Sequence, residues 1–161
     1  MTLRKKTILF LSSGCLLGKM PFAPGSFGTL AGLPVCWLLS GMDAWISFSL
    51  AALTIPFAIW IAGEAEKILG TKDPGAIVID EFVGMVLTLA GLPFNAATAG
   101  LGFVLFRILD IAKPFPIRFL ERKFKGGTGI VLDDVAAGII ANITLRIILQ
   151  LLDIYNYRCY T

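Results

Sequence analysis

The charged residues divide the chain into long uncharged runs over residues 7–18, 21–42, 44–63 and 82–106. A fifth run, 135–152, is interrupted only by Arg146. About 20 apolar residues cross the hydrocarbon of a bilayer as a helix. Residues 44–63 therefore predict a spanning helix, with Pro56 tolerated inside it. Residues 30–41 are shorter and carry Pro34, which predicts a tilted or broken helix. Residues 82–106 hold Gly-Leu-Pro-Phe-Asn (91–95) near their middle, a strong turn signal. Each half is then about 11 residues, roughly 16 Å of helix, so this run predicts a broken helical hairpin. A hairpin returns Arg107 and Asp110 to the face that holds Asp80 and Glu81. Strand signals amount to a brief Ala-Ile-Val-Ile-Asp (76–80), too short and isolated for a sheet. The expected fold is all-α: a single domain over residues 1–161, built as a compact multi-helix bundle embedded in a membrane.

Composition narrows the function. Hydrophobic residues make up 57% and charged residues 16%, against about 25% charged in a typical soluble domain. Mean hydropathy is +0.82. A disordered tail, a nucleic-acid-binding domain and a disulfide scaffold are all disfavoured. The net charge of +3 is mild, and the Lys and Arg residues are not interleaved with aromatics along one stretch. No nucleic-acid partner is expected. The sequence has no His, which excludes His-dependent triads and His-ligated zinc. Cys15, Cys36 and Cys159 are odd in number and far apart, and read as small hydrophobes.

Basic residues suggest sidedness. Arg4, Lys5 and Lys6 precede the first apolar run, and Lys113, Arg118, Arg122, Lys123 and Lys125 crowd a later loop. Both are expected on the cytoplasmic side of a multi-pass protein. The basic start also resembles a short signal peptide, but Ser12 stands where a lipoprotein signal carries Leu, so a retained first helix is expected. Arg146 is expected to face the bundle or to snorkel.

Of 11 acidic residues, five flank apolar segments: Asp80, Glu81, Asp110, Asp133 and Asp134. Carboxylates beside apolar surface are costly unless paired, hydrogen-bonded or metal-bound. If their segments end at one face, the five converge, and repulsion raises their proton affinity or demands a cation. Oxygen ligands without His or Cys suit a hard cation, Mg²⁺ best. Simpler readings exist for each. Asp133 or Asp134 can cap the last helix after the Gly-rich turn. Asp110 can pair with Arg107 and Lys113. Asp80 and Glu81 can be helix-start charges. Glu64, Glu66 and Lys67 read as a solvated helix face. Gly126, Gly127 and Gly129 surround Thr128 before an expected helix start, where backbone N–H groups favour an anion. Lys19, Ser26 and Thr29, with two nearby glycines, form a second candidate anion element. A small channel or transporter subunit with an acidic relay is the non-enzymatic alternative, and it needs polar residues spread through the membrane depth.

Four pieces of sequence carry a resemblance: PFAPGSFGTLAGLP (21–34), DPGAIVIDEFVGM (73–85), FRILDIAKPFPIRFLE (106–121) and GGTGIVLDDVAAG (126–138). In this order and spacing the chain resembles the phosphatidylglycerophosphatase A family from about residue 19 to residue 143. The resemblance implies a mainly helical, Mg²⁺-dependent enzyme of the bacterial inner membrane, and the basic stretches put its expected active site on the cytoplasmic side. The implied reaction removes the terminal phosphate of phosphatidylglycerophosphate to give phosphatidylglycerol. The family's acidic signatures map onto Asp73, Asp80, Glu81, Asp110, Asp133 and Asp134, and its basic ones onto Arg107, Lys113 and Arg118. Ser26 and Thr29 stand as hydroxyl swaps for the usual Thr and Ser. The expected catalytic and metal-binding set is Asp80, Glu81, Asp110, Asp133 and Asp134. The expected phosphate-binding set is Lys19, Ser26, Thr29, Arg107, Lys113 and Arg118. The lipid substrate and the bilayer are the expected partners. Water or an Asp is the nucleophile, and the sequence leaves both open.

Overall fold

The computed structural model describes residues 1–72 and 74–159, with the side chains of the last helix described as far as Leu152. Asp73 and the Cys159 side chain lie outside the described residues. Eight α-helices and no strand occur among the described residues. α1 (Leu3–Ser12) leads through one 3₁₀ turn (Leu17–Lys19) to α2 (Pro24–Ala31) and α3 (Leu33–Leu39). These last two are the broken helix that Pro34 suggested, with Gly32 between them. α4 (Ala44–Leu69), α5 (Ile79–Leu89), α6 (Ala96–Ala112), α7 (Ile117–Lys123) and α8 (Gly127–Cys159) follow.

Local chemistry sets the ends. α4 stops at Gly70, whose φ of +70° is a left-handed cap that glycine adopts without strain. The expected hairpin is present: α5 ends at Leu89, and the chain turns through Gly91 at φ +63°. The Asn95 carboxamide oxygen then accepts from the Thr98 N–H at 3.0 Å and caps α6. α6 ends where Lys113 takes a left-handed conformation ahead of Pro114. α1 packs on α4, tied by Arg4 to Glu64 at 2.9 Å, while Glu64 also holds Lys67 at 2.9 Å.

α8 is the spine, against which α4, α5, α6 and α7 all pack. Glycines permit the closest approaches. A Cβ on Gly138 would collide with the Gly84 carbonyl of α5, and one on Gly127 with the Ile59 carbonyl of α4. Small residues of this kind let helix backbones touch in apolar bundles. α8 starts at Gly127, nearly two turns before Asp133. Capping of this helix by Asp133 or Asp134 is therefore corrected: both lie inside it. The glycines that suggested an anion loop instead form its tightly packed first turn, Gly127 on α4 and Gly129 on the Phe124 carbonyl.

α4 and the first 26 residues of α8 (Gly127–Leu152) are long and apolar enough to cross a membrane. Only 28% and 33% of their most apolar windows are buried. A core helix of a soluble domain is mostly buried, whereas these turn Trp45, Leu53, Ile143 and Ile147 outward.

The far end of α5 carries carbonyls that water cannot reach in apolar surroundings. The Asn142 amide nitrogen donates to the carbonyls of Leu87 (3.1 Å), Thr88 (2.9 Å) and Ala90 (3.0 Å). Arg146 donates to Ala90 (3.0 Å) and Gly91 (2.9 Å), and through Nε to the Asn142 oxygen (2.9 Å). Its guanidinium lies 5.4 Å from the centre of the Phe48 ring. Arg146 therefore faces the bundle, one of the two placements expected of it.

Candidate active site

Three helices deliver the five carboxylates to one place. Asp80 and Glu81 lie in the first turn of α5, Asp110 in the last turn of α6, and Asp133 and Asp134 in the second turn of α8. All five line a cavity of about 200 Å³ that Lys113 also borders. One oxygen each from Asp80, Glu81 and Asp134 lies within 4.8 Å of the others.

Two cations flank the group. Arg107 Nη1 is 2.5 Å from Asp110 Oδ2 and 3.8 Å from Glu81 Oε1. Lys113 Nζ is 2.7 Å from Asp133 Oδ2 and 3.1 Å from Glu121 Oε1. The expected Arg107–Asp110 pair is thus present, but Lys113 pairs across helices with Asp133 rather than with Asp110. Glu121 was not singled out in the sequence. Its only signal is its place eight residues after Lys113 in a basic stretch.

Four carboxylate oxygens are buried with no hydrogen-bond partner: Asp80 Oδ1, Glu81 Oε2, Asp133 Oδ1 and Asp134 Oδ2. Buried negative oxygens without partners are costly. Either protons or a cation must offset them. Burial, then the neighbouring Glu81 charge, pushes Asp80 well above the usual carboxylate range. Burial also raises Glu81; Asp110 adds to the rise, while the hydrogen bond with Asp80 and the Arg107 charge oppose it. Partial burial pulls the Lys113 ammonium down, but Asp133 and Glu121 outweigh it and the net shift is upward. An all-oxygen donor set with orphaned lone pairs fits a hard divalent cation.

The remaining expected residues are spread around this cavity. Gly25, in the first turn of α2, packs against the side chains of Glu81 and Arg107. A Cβ there would collide with Glu81 Oε1 and lie 3.1 and 3.2 Å from the two Arg107 Nη atoms. Ser26, the next residue, is half-buried. Thr29 is fully buried and donates to the Gly25 carbonyl at 2.9 Å, so its hydroxyl is used within α2. Lys19 is exposed in a separate groove beside Lys6 and Phe10 of α1. Arg118 is exposed and lies outside the acidic cavity, in a neighbouring groove that shares Lys113.

Converging carboxylates flanked by cations, on an apolar helical scaffold, are equipment for phosphoryl transfer, and the relatives make the class definite: the chain is a phosphatase. The model of the family described as Phosphatidylglycerophosphatase A matches residues 10–149, and the chain belongs to that family. It is 42% identical over 133 residues to Phosphatidylglycerophosphatase A of Escherichia coli (strain K12), covering 81% of this chain and 77% of the relative. It is 39% identical over 140 residues to Phosphatidylglycerophosphatase A of Haemophilus influenzae, covering 86% of each. It is 35% identical over 148 residues to a Bacteroides thetaiotaomicron protein named "Putative phosphatidylinositol-3-phosphatase", covering 86% of this chain and 91% of that one. No solved structure matches at a significant level.

Proposed function

We propose that the chain hydrolyses the terminal phosphomonoester of phosphatidylglycerophosphate to phosphatidylglycerol, using Mg²⁺ held by Asp80, Glu81 and Asp134. The reaction takes place at the cytoplasmic face of a bacterial inner membrane. One observation carries the reading: carboxylates from α5 and α8 meet within 4.8 Å, with buried oxygens left unpartnered, in a chain whose relatives are named for this lipid.

When bound, Mg²⁺ supplies charge neutralisation for the phosphoryl oxygens and lowers the pKa of an attacking water. The chain's own groups do the rest. Arg107 holds Asp110 and Glu81 in fixed relation. Lys113 spends two of its three N–H donors on Asp133 and Glu121 and keeps one for the substrate. Asp110 and Asp133, each beside its cation, are the carboxylates best placed to accept a proton from water or to attack phosphorus. With no His in the chain, a carboxylic acid or a water must protonate the leaving alkoxide. The outward apolar faces of α4 and α8 support a bilayer setting, and the basic stretch 113–125 supports the cytoplasmic side.

The test is purified protein in neutral detergent with phosphatidylglycerophosphate, with Mg²⁺ or with a chelator. Phosphate and phosphatidylglycerol should appear only with the metal. Release in the chelator removes the metal from the proposal, and no release under either condition removes the substrate.

A further inference from the structure

Beside the acidic cavity lies a groove of about 380 Å³ bordered by Lys113, Phe115, Arg118, Phe119 and Arg122. Arg118 and Arg122 stand one turn apart on α7 and share one side of it. Neither makes an ion pair among the described residues, and the one bond of the Arg118 side chain is a 3.4 Å contact with the Ala112 carbonyl. Phe115 is 85% exposed and Phe119 52%, while Ile117 between them is fully buried. Lys123 rests over the Phe119 ring at 5.4 Å. Contrary to the expectation from the sequence, basic and aromatic residues do alternate along this one stretch, and exposed Phe beside unpaired guanidinium groups is a surface for the headgroup level of a membrane.

The three neighbouring surfaces form a series. Lys113 borders both the acidic cavity and the cationic groove. Ala112 borders both the cationic groove and a mainly apolar one of about 410 Å³ along Phe103, Val104, Ile108 and Ile111 of α6, which Arg107 also lines. A lipid bearing a terminal phosphomonoester, then a phosphodiester, then acyl chains presents its parts in the same order. We propose that the Arg118–Arg122 groove binds the phosphodiester of the lipid whose terminal phosphate occupies the acidic cavity, and thereby selects lipids with two phosphates. The inference rests on the lipid-phosphatase reading above and adds a recognition site that does no chemistry. Guanidinium groups suit it because they give forked, charge-assisted bonds to phosphate oxygens and stay charged.

The test compares wild type with the Arg118→Ala/Arg122→Ala double variant in neutral detergent micelles. Both positions are exposed, and retained thermal stability shows that the fold survives. Two substrates with the same acyl chains are used: phosphatidylglycerophosphate, and phosphatidic acid, which has the phosphomonoester but no phosphodiester. The double variant should lose about 30-fold or more in kcat/KM on phosphatidylglycerophosphate. That loss should exceed the loss on phosphatidic acid by about tenfold or more. Direct binding of phosphatidylglycerol, which keeps only the phosphodiester, should be seen with wild type and lost in the double variant. An Arg118→Lys/Arg122→Lys variant should recover part of both. Equal losses on the two substrates, or unchanged phosphatidylglycerol binding, would overturn the groove's role. So would a defect that appears only when bulk anionic lipid is added, because the groove would then be a general membrane anchor. Failure of wild type to hydrolyse phosphatidylglycerophosphate counts against the parent reading alone, since the binding measurement still judges the groove.

Discussion

The side-chain amide of Asn142 on α8 donates to the Ala90 carbonyl, 3.0 Å away, just past the end of α5. The same nitrogen serves Leu87 and Thr88, and Arg146 completes the clamp on Ala90 and Gly91. α5 has only 11 residues and carries Asp80 and Glu81 at its other end. Holding its last carbonyls therefore fixes where its first turn points. Asn142→Leu removes the donor and strands carbonyls that each cost about 1–3 kcal/mol unpaired. A loss of about 2–4 kcal/mol is expected, measured by denaturant unfolding in detergent. A stability equal to wild type would show that the clamp is not what holds α5.

Asp80→Asn keeps the shape of the side chain and removes its charge. Turnover should fall by about 10²-fold or more. Metal-free thermal stability should hold or rise, because a buried, repelled carboxylate is gone. The two readouts move in different directions only if Asp80 is retained for chemistry. A variant that turns over normally would remove Asp80 from the site.

Gly25→Ala tests a backbone contact. The added methyl meets the ends of Glu81 and Arg107, which are side-chain tips able to swing away. The expected cost in stability is small, about 1 kcal/mol or less, while activity should drop about tenfold or more because Glu81 and Arg107 are displaced. Gly138→Ala is the contrast. There the methyl meets the Gly84 backbone, which cannot move without separating α5 from α8. It should destabilise by about 1–3 kcal/mol.

Proton and metal should compete. Asp80 has a raised pKa, from burial first and from Glu81 second. Its folded state therefore binds a proton more tightly than its unfolded state. The metal-free protein should lose stability as pH rises from the ordinary carboxylate range, about 4, towards that raised value. Mg²⁺ must displace the proton, so its apparent affinity should strengthen with rising pH, and added metal should abolish the stability loss. Thermal shifts between about pH 5 and pH 8, with and without Mg²⁺, check both signs. A metal affinity independent of pH would mean that Asp80 is not a ligand.

Much of this arrangement was legible in the sequence. The turn at 91–95 shows because Gly and Pro break a run too short for two spans, and the hairpin then brings Arg107 to Glu81. The five acids show because carboxylates bordering apolar segments need a reason. The start of α8 was misread for the same physics: Gly126, Gly127 and Gly129 look like a breaker, yet close contact with α4 demands glycine at 127. Asn142 gave no signal, since one amide in an apolar helix reveals nothing until the carbonyls it faces are known. Thr29 reads as an anion ligand in the sequence; what the sequence does not show is that its hydroxyl donates back to the Gly25 carbonyl of its own helix.

α8 touches α5 at both of its ends: Asp134 meets Asp80 and Glu81, and eight residues later Asn142 meets the last carbonyls. Those eight residues rise about 12 Å, and each added residue advances the helix by about 1.5 Å and turns it by about 100°. Inserting one residue between 134 and 142 would put the two contacts out of phase, so only one could re-form at a time. The length of that stretch is therefore a fixed gauge between the carboxylate end of α5 and its clamped end.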